Sequence, residues 1–130
     1  MTQLESPNPG QSPARSPLQS IADAVARHYK DQFGRGPHRC RAHFAGRDSV
    51  LVVLEGTMSP AERRLAELGE IDRVRGARAA LQSAVQDDLL DAVRAVAGRG
   101  VEFAVPGMDL VRDVATELFV LTPVEGVERD

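Results

Sequence analysis

Apolar residues in this chain recur with two different periods, and the switches between those periods predict its elements. From Leu18, the residues Ile21, Ala22, Val25, Tyr29 and Phe33 fall three or four apart, which gives a helix one apolar face. Ser16, Pro17 and Gln19 stand where an N-cap, a pre-set first turn and a capping-box partner are needed. Gly34 suits a left-handed C-cap, and Pro37 prevents the helix from resuming. From His38 to Ala45 the period drops to two, with Cys40, Ala42 and Phe44 on one side and Arg39, Arg41 and His43 on the other. Gly46-Arg47-Asp48 reads as a turn. The unbroken run Val50 to Leu54, within a strand from Ser49 to Glu55, suits a central, well-covered strand.

The second half uses the same vocabulary. Ser59-Pro60-Ala61-Glu62 repeats the helix start at Ser16, and a short helix carrying Leu65 and Leu68 should stop near Gly69. A single long helix is expected from Ile71 to Ala97, with Val74, Ala77, Leu81, Val85, Leu89, Val93 and Val96 along its stripe. Gly98-Arg99-Gly100 ends it. Val101, Phe103 and Val105 alternate on a third strand closed by Pro106-Gly107, and Thr116 to Leu121 forms a fourth. Met1 to Arg15, with Pro7, Pro9, Gly10 and Pro13 among polar residues, buries too little apolar surface to order itself. The expected organisation is a disordered tail over 1–15, one domain over 16–123 and a loose tail over 124–130.

The two halves resemble each other. Leu18-Gln19-Ser20 returns as Leu81-Gln82-Ser83, and Gly34-Arg35-Gly36 returns as Gly98-Arg99-Gly100. Aligning the glycines lays Ile21, Val25 and Tyr29 over Val85, Leu89 and Val93. This predicts a duplicated αββ unit, written αββ-(α)αββ, in the α+β class: a four-stranded antiparallel sheet with its helices on one face. The opposite face should be partly polar or covered in a dimer.

Composition narrows the function classes. Aromatics make up only 4% with no Trp, so the core must be aliphatic, and the net charge of −3 offers no general attraction to nucleic acid or anionic lipid. The single cysteine, Cys40, rules out an intramolecular disulfide. The longest apolar run is far short of the roughly 20 residues of a spanning helix, and the N-terminus has no signal-peptide pattern. A cytoplasmic protein is expected, any membrane role coming through a partner at the inner face of the cell membrane.

Four stretches in a fixed order carry a family likeness: Tyr29 to Pro37; Val52-Val53-Leu54-Glu55-Gly56 followed by Ser59 to Glu62; the helix from Arg73-Val74-Arg75 to Leu81-Gln82; and Glu117 to Leu121. Together they resemble the MpsC-like family of small bacterial proteins, named for a component of a sodium-translocating, membrane-potential-generating system. The resemblance implies a small accessory protein, linked in some members to cation-coupled or inorganic-carbon uptake. It implies no catalytic residues.

Candidate chemistry is sparse. His28, His38, Cys40 and His43 suggest a metal cluster, but strand geometry sends them in different directions, and their spacing is not that of a tetrahedral site. A buried thiol with solvent-facing histidines is the better account. Gly34 to Pro37 follows a helix rather than preceding one, which is the wrong end for an anion. Arg39, Arg41 and His43 form a basic stripe without the aromatics a single-strand nucleic-acid platform needs. Arg63, Arg64, Arg73, Arg75 and Arg78 stand near Glu62, Glu67, Glu70 and Asp72 and should pair on a solvated surface. Asp109 and Asp113 read as turn residues, and no nucleophile or metal motif accompanies them or Glu55.

The expectation is therefore a non-enzymatic accessory or regulatory subunit of a membrane transport system, without cofactor or metal. It would form a homodimer, contact a transporter subunit and leave nucleic acid alone. Arg35, Glu55, Glu62, Arg73, Arg75 and Arg78 are the expected partner-binding residues. The alternative is a small-molecule-binding regulator with a pocket at the sheet face or dimer interface.

Overall fold

The computed structural model describes residues 16–124. The expectations for 1–15, and for 125–130 of the C-terminal tail, lie outside the described residues. The first helix, α1 (Pro17–Phe33), starts where the capping residues predict, with the Gln19 amide donating to Ser16 Oγ at 3.1 Å. It ends at Gly34 in the left-handed region, φ 80°, whose N–H donates to the Lys30 carbonyl at 3.0 Å. A hairpin follows, β1 (Arg39–Phe44) and β2 (Ser49–Glu55). The short helix α2 (Pro60–Glu67) opens with a complete capping box between Ser59 and Glu62.

The expected long helix is two helices, α3 (Ile71–Ala84) and α4 (Gln86–Ala97), broken at Val85 with φ −110° and ψ 15°. Its apolar stripe runs through the break unchanged, so periodicity alone gave no sign of a bend. The break lets α4 lie along α1 while α3 turns toward α2. Pro106-Gly107 does not close the third strand either. β3 runs from Val101 to Asp109, because Pro106 sits on an edge strand, where the N–H it lacks is not needed by an inner neighbour. β4 (Val114–Leu121) completes the sheet.

The strand order is β1-β2-β4-β3, antiparallel throughout. That is the layout of two αββ units side by side, with β2 and β4 meeting in the middle. The core lies between the sheet and the α1–α4 pair. Val50, Val52 and Leu54 of β2 and Ala115, Phe119 and Leu121 of β4 meet Ile21, Val25 and Tyr29 of α1 and Leu89 and Val93 of α4. A smaller cluster of Met58, Val74 and Leu110 joins α2, α3 and the β3–β4 turn at one end. The odd-numbered residues of β2 and the even-numbered residues of β4 face the other way.

Candidate functional site

The polar chemistry concentrates at the end of the sheet where α2, α3 and the β3–β4 turn meet. Arg78 is one turn beyond Val74 on α3, so it enters the interior with Val74 and is 1% exposed. Its Nε donates to Glu62 Oε2 and its Nη2 to Glu62 Oε1, both at 2.7 Å. Nη1 reaches Thr57 Oγ1 at 3.0 Å and Nη2 the Thr57 carbonyl at 2.8 Å, while the guanidinium carbon lies 4.6 Å from the centroid of the Phe33 ring. Such a planar two-pronged contact suits arginine and not lysine. Burial works against the charge of Glu62, but the Arg78 guanidinium and the Ser59 amide outweigh it and hold the carboxyl below its ordinary range.

A second acceptor binds the same corner. Asp113 adopts φ 55°, and its carboxylate accepts the amides of Thr57 at 2.9 Å and Met58 at 3.1 Å. Its carbonyl accepts the Gly56 amide at 2.9 Å. Gly56, at φ 76°, has no room for a side chain, since a Cβ would stand 2.0 Å from His38 Cδ2. The segment Glu55 to Glu62 is thus tied to the β3–β4 turn from one side and to α3 from the other. Beside it opens a cleft of about 300 Å³ lined by Met58, Ala66, Ile71, Leu110 and Val111, with Arg63 and Glu67 at its rim. Val111 and Leu68 are exposed near this end.

A third polar group lies within the core. Glu117 on β4 is 1% exposed; its Oε2 accepts the Tyr29 hydroxyl at 2.8 Å, and Gln82 Nε2 donates to that hydroxyl at 3.3 Å. Glu117 Oε1 has no hydrogen-bond partner. Burial raises the Glu117 carboxyl from 4.5 to about 7, against the opposing pull of the Tyr29 bond. Burial, together with the neighbouring Glu117, pushes the Tyr29 phenol up as well. A cleft of about 360 Å³ lined by Ala79, Gln82, Ser83, Gln86, Ala104 and Pro106 opens next to Gln82.

The residues expected to bind a partner divide into two sets. Arg73 and Arg75 are on the outer face of α3, paired with Glu70 and Asp72 one turn away. Arg35 lies within 3.3 Å of His38, and Glu55 pairs with Arg41 across the β1–β2 ladder at 3.2 Å. Arg78 and Glu62 are bound to each other inside the molecule. Their position follows the stripe Val74–Arg78, an arginine at a core position of the helical repeat. Glu117 and Asp113 were missed as polar anchors, although the parity of Ala115, Glu117, Phe119 and Leu121 places Glu117 on the buried face. The position of Asp113 depends on a turn whose geometry no local motif encodes.

The histidines and the cysteine are dispersed. His28 is buried on α1 rather than facing solvent, and burial lowers its pKa despite Asp88 and Asp31 nearby. His43 is exposed, and Cys40 Sγ donates to the Ala22 carbonyl at 3.4 Å. Burial, reinforced by Asp23, raises the Cys40 thiol to about 11, so it is a packing residue at neutral pH. Among the described residues no three His, Cys, Asp or Glu side chains group as metal ligands, and no helix is long and apolar enough to cross a membrane.

The family described as Na+-translocating membrane potential-generating system (MpsC) matches residues 16–123. No curated protein and no solved structure matches the chain.

Proposed function

The chain belongs to the MpsC family, and from that premise we propose that it is a non-catalytic accessory or regulatory subunit of a cation-coupled or inorganic-carbon transport system in the membrane, acting through protein–protein contact. The observation that carries this reading is the α2–α3 corner. It combines an open apolar cleft, exposed Leu68 and Val111, and the outward arginines Arg73 and Arg75, all on a base held by Arg78, Glu62 and Asp113. A rigid, partly apolar surface with a charged rim is what a protein contact requires. Arg35, beside His38 at the same end of the sheet, extends that rim. The protein itself works from the cytoplasmic side, held at the membrane by its partner.

The test is affinity capture from detergent-solubilised membranes with mass-spectrometric identification. A polytopic transport subunit should co-purify, and Arg75→Glu, which lies on the surface and leaves the fold intact, should reduce its recovery several-fold. Unchanged recovery with the variant would remove the outer face of α3 from the contact.

A second reading is a small-molecule-binding regulator. It is favoured by the cleft beside Gln82 and by the unpartnered Glu117 oxygen deeper in the same region. Thermal unfolding with nucleotides and bicarbonate separates the two, because a ligand bound only by the folded state raises the melting temperature. No shift with any of them at millimolar concentration would discard this reading for those ligands.

A further inference from the structure

The face of the sheet turned away from the helices is unexpectedly apolar. Strand register aligns Val105, Leu118 and Leu51 in one row, with His43 at the β1 end. Phe103, Val120 and Ser49 form the row on one side of it, and Gly107, Thr116, Val53 and Arg41 the row on the other. The last row is Asp109, Val114, Glu55 and Arg39. An antiparallel sheet with one face in water ordinarily alternates apolar-in with polar-out. Here Leu51, Val53, Leu118, Val120, Phe103 and Val105 form one patch across three strands, and Phe103 and Val105 are each 49% exposed. Nothing among the described residues covers it.

We infer that this face is the interface of a homodimer in which two sheets pack face to face about a two-fold axis running along the strands between β2 and β4. Three observations favour a second copy over other occupants. Residues 1–15 and 125–130 are too polar to serve, the first offering only Met1, Leu4 and Ala14 and the second only Val127. The centre of the patch is self-complementary about that axis, which lays Leu51 of one copy on Leu118 of the other, while Val105 at the edge meets the partner's His43. The charges also match. The same rotation reverses each row, so the basic edge of β1 lies over the partner β3, and Arg39 of one copy meets Asp109 of the other within the same row. The β1 stripe of Arg39, Arg41 and His43, left without a nucleic-acid or metal role by the sequence, becomes the rim of the interface.

Four strands of about seven residues span roughly 19 by 23 Å. The two faces together fall below the area of a standard stable interface, so the association should be weak and reversible. The inference stands apart from the transport reading, since a dimer forms or fails to form in the purified protein alone.

Sedimentation velocity on the purified full chain, from micromolar to several hundred micromolar, tests it. The expected result is a concentration-dependent dimer that Leu118→Glu abolishes while circular dichroism and thermal unfolding still report a folded domain. Arg39→Glu should weaken it several-fold, as should high salt. If Leu118→Glu proves unfolded, Val105→Arg on the already exposed edge, which sets like charge against the partner's basic β1 edge, provides the same test. A wild-type monomer at the highest concentration, or a dimer unaffected by these face substitutions, would overturn the inference.

Discussion

At the scale of single residues, the outcome turns on which polar groups the fold takes inside. Arg78 is buried with two partners satisfied by its fork, so removing it leaves Glu62 and the Thr57 carbonyl desolvated. Arg78→Ala should destabilise the domain by about 3 kcal/mol or more, read as a lower urea midpoint. Arg73→Ala, whose pair with Glu70 is exposed, should change stability by less than about 0.5 kcal/mol. Equal effects from the two would show that the buried fork does not hold this corner. Glu117 makes a pH prediction. Its folded pKa is raised from 4.5 to about 7, so the folded state favours the protonated form. That contribution is full below 4.5 and is lost as pH rises through about 7, a change on the order of 3 kcal/mol. Wild-type stability should therefore fall between about pH 4.5 and about pH 7, and Glu117→Gln should flatten that slope. A slope unchanged by the substitution would place the titrating group elsewhere.

At the scale of elements, α3 is tied to the core less than α1 and α4 are. Val74 and Arg78 are its only buried residues, whereas α1 and α4 contribute most of the helical core. Val74, Arg78 and Gln82, on successive turns, tie it to the rest. Amides of Ile71 to Ala84 should exchange with deuterium faster than those of α1 or α4, since helices with few buried contacts open locally. Equal protection across the three helices would mean that the polar ties match the apolar core in strength. This is also where the sequence was least legible. The stripe from Val74 through Val85 to Val93 is compatible with one straight helix. Only the need for α4 to reach α1, while α3 reaches Thr57 and Glu62, requires the break at Val85.

At the scale of the whole molecule, the repeat explains the architecture. Two αββ units placed with β2 beside β4 bury one face of the sheet under α1 and α4 and leave the other face as a single surface. The inserted α2 and α3 close one end rather than a face. Function then divides by location: the end bears the proposed transporter contact, and the open face the proposed self-association. The capture and sedimentation measurements address these two surfaces separately, because Arg75 and Leu118 are on different sides of the molecule.

Local chemistry was sufficient to determine the helix starts at Ser16 and Ser59, the helix stops at Gly34 and Gly98, and the alternation of β1. Each depends on residues within a few positions of one another, where caps and period-two faces are decided. The same holds for the four-stranded α+β class and for the family, whose stretches are contiguous in sequence. The tertiary structure alone decided where Arg78 points, which turn Asp113 ties down, how far β3 runs beyond Pro106 and where α3 parts from α4. Those depend on partners dozens of residues away, and long-range burial, not local propensity, sets them.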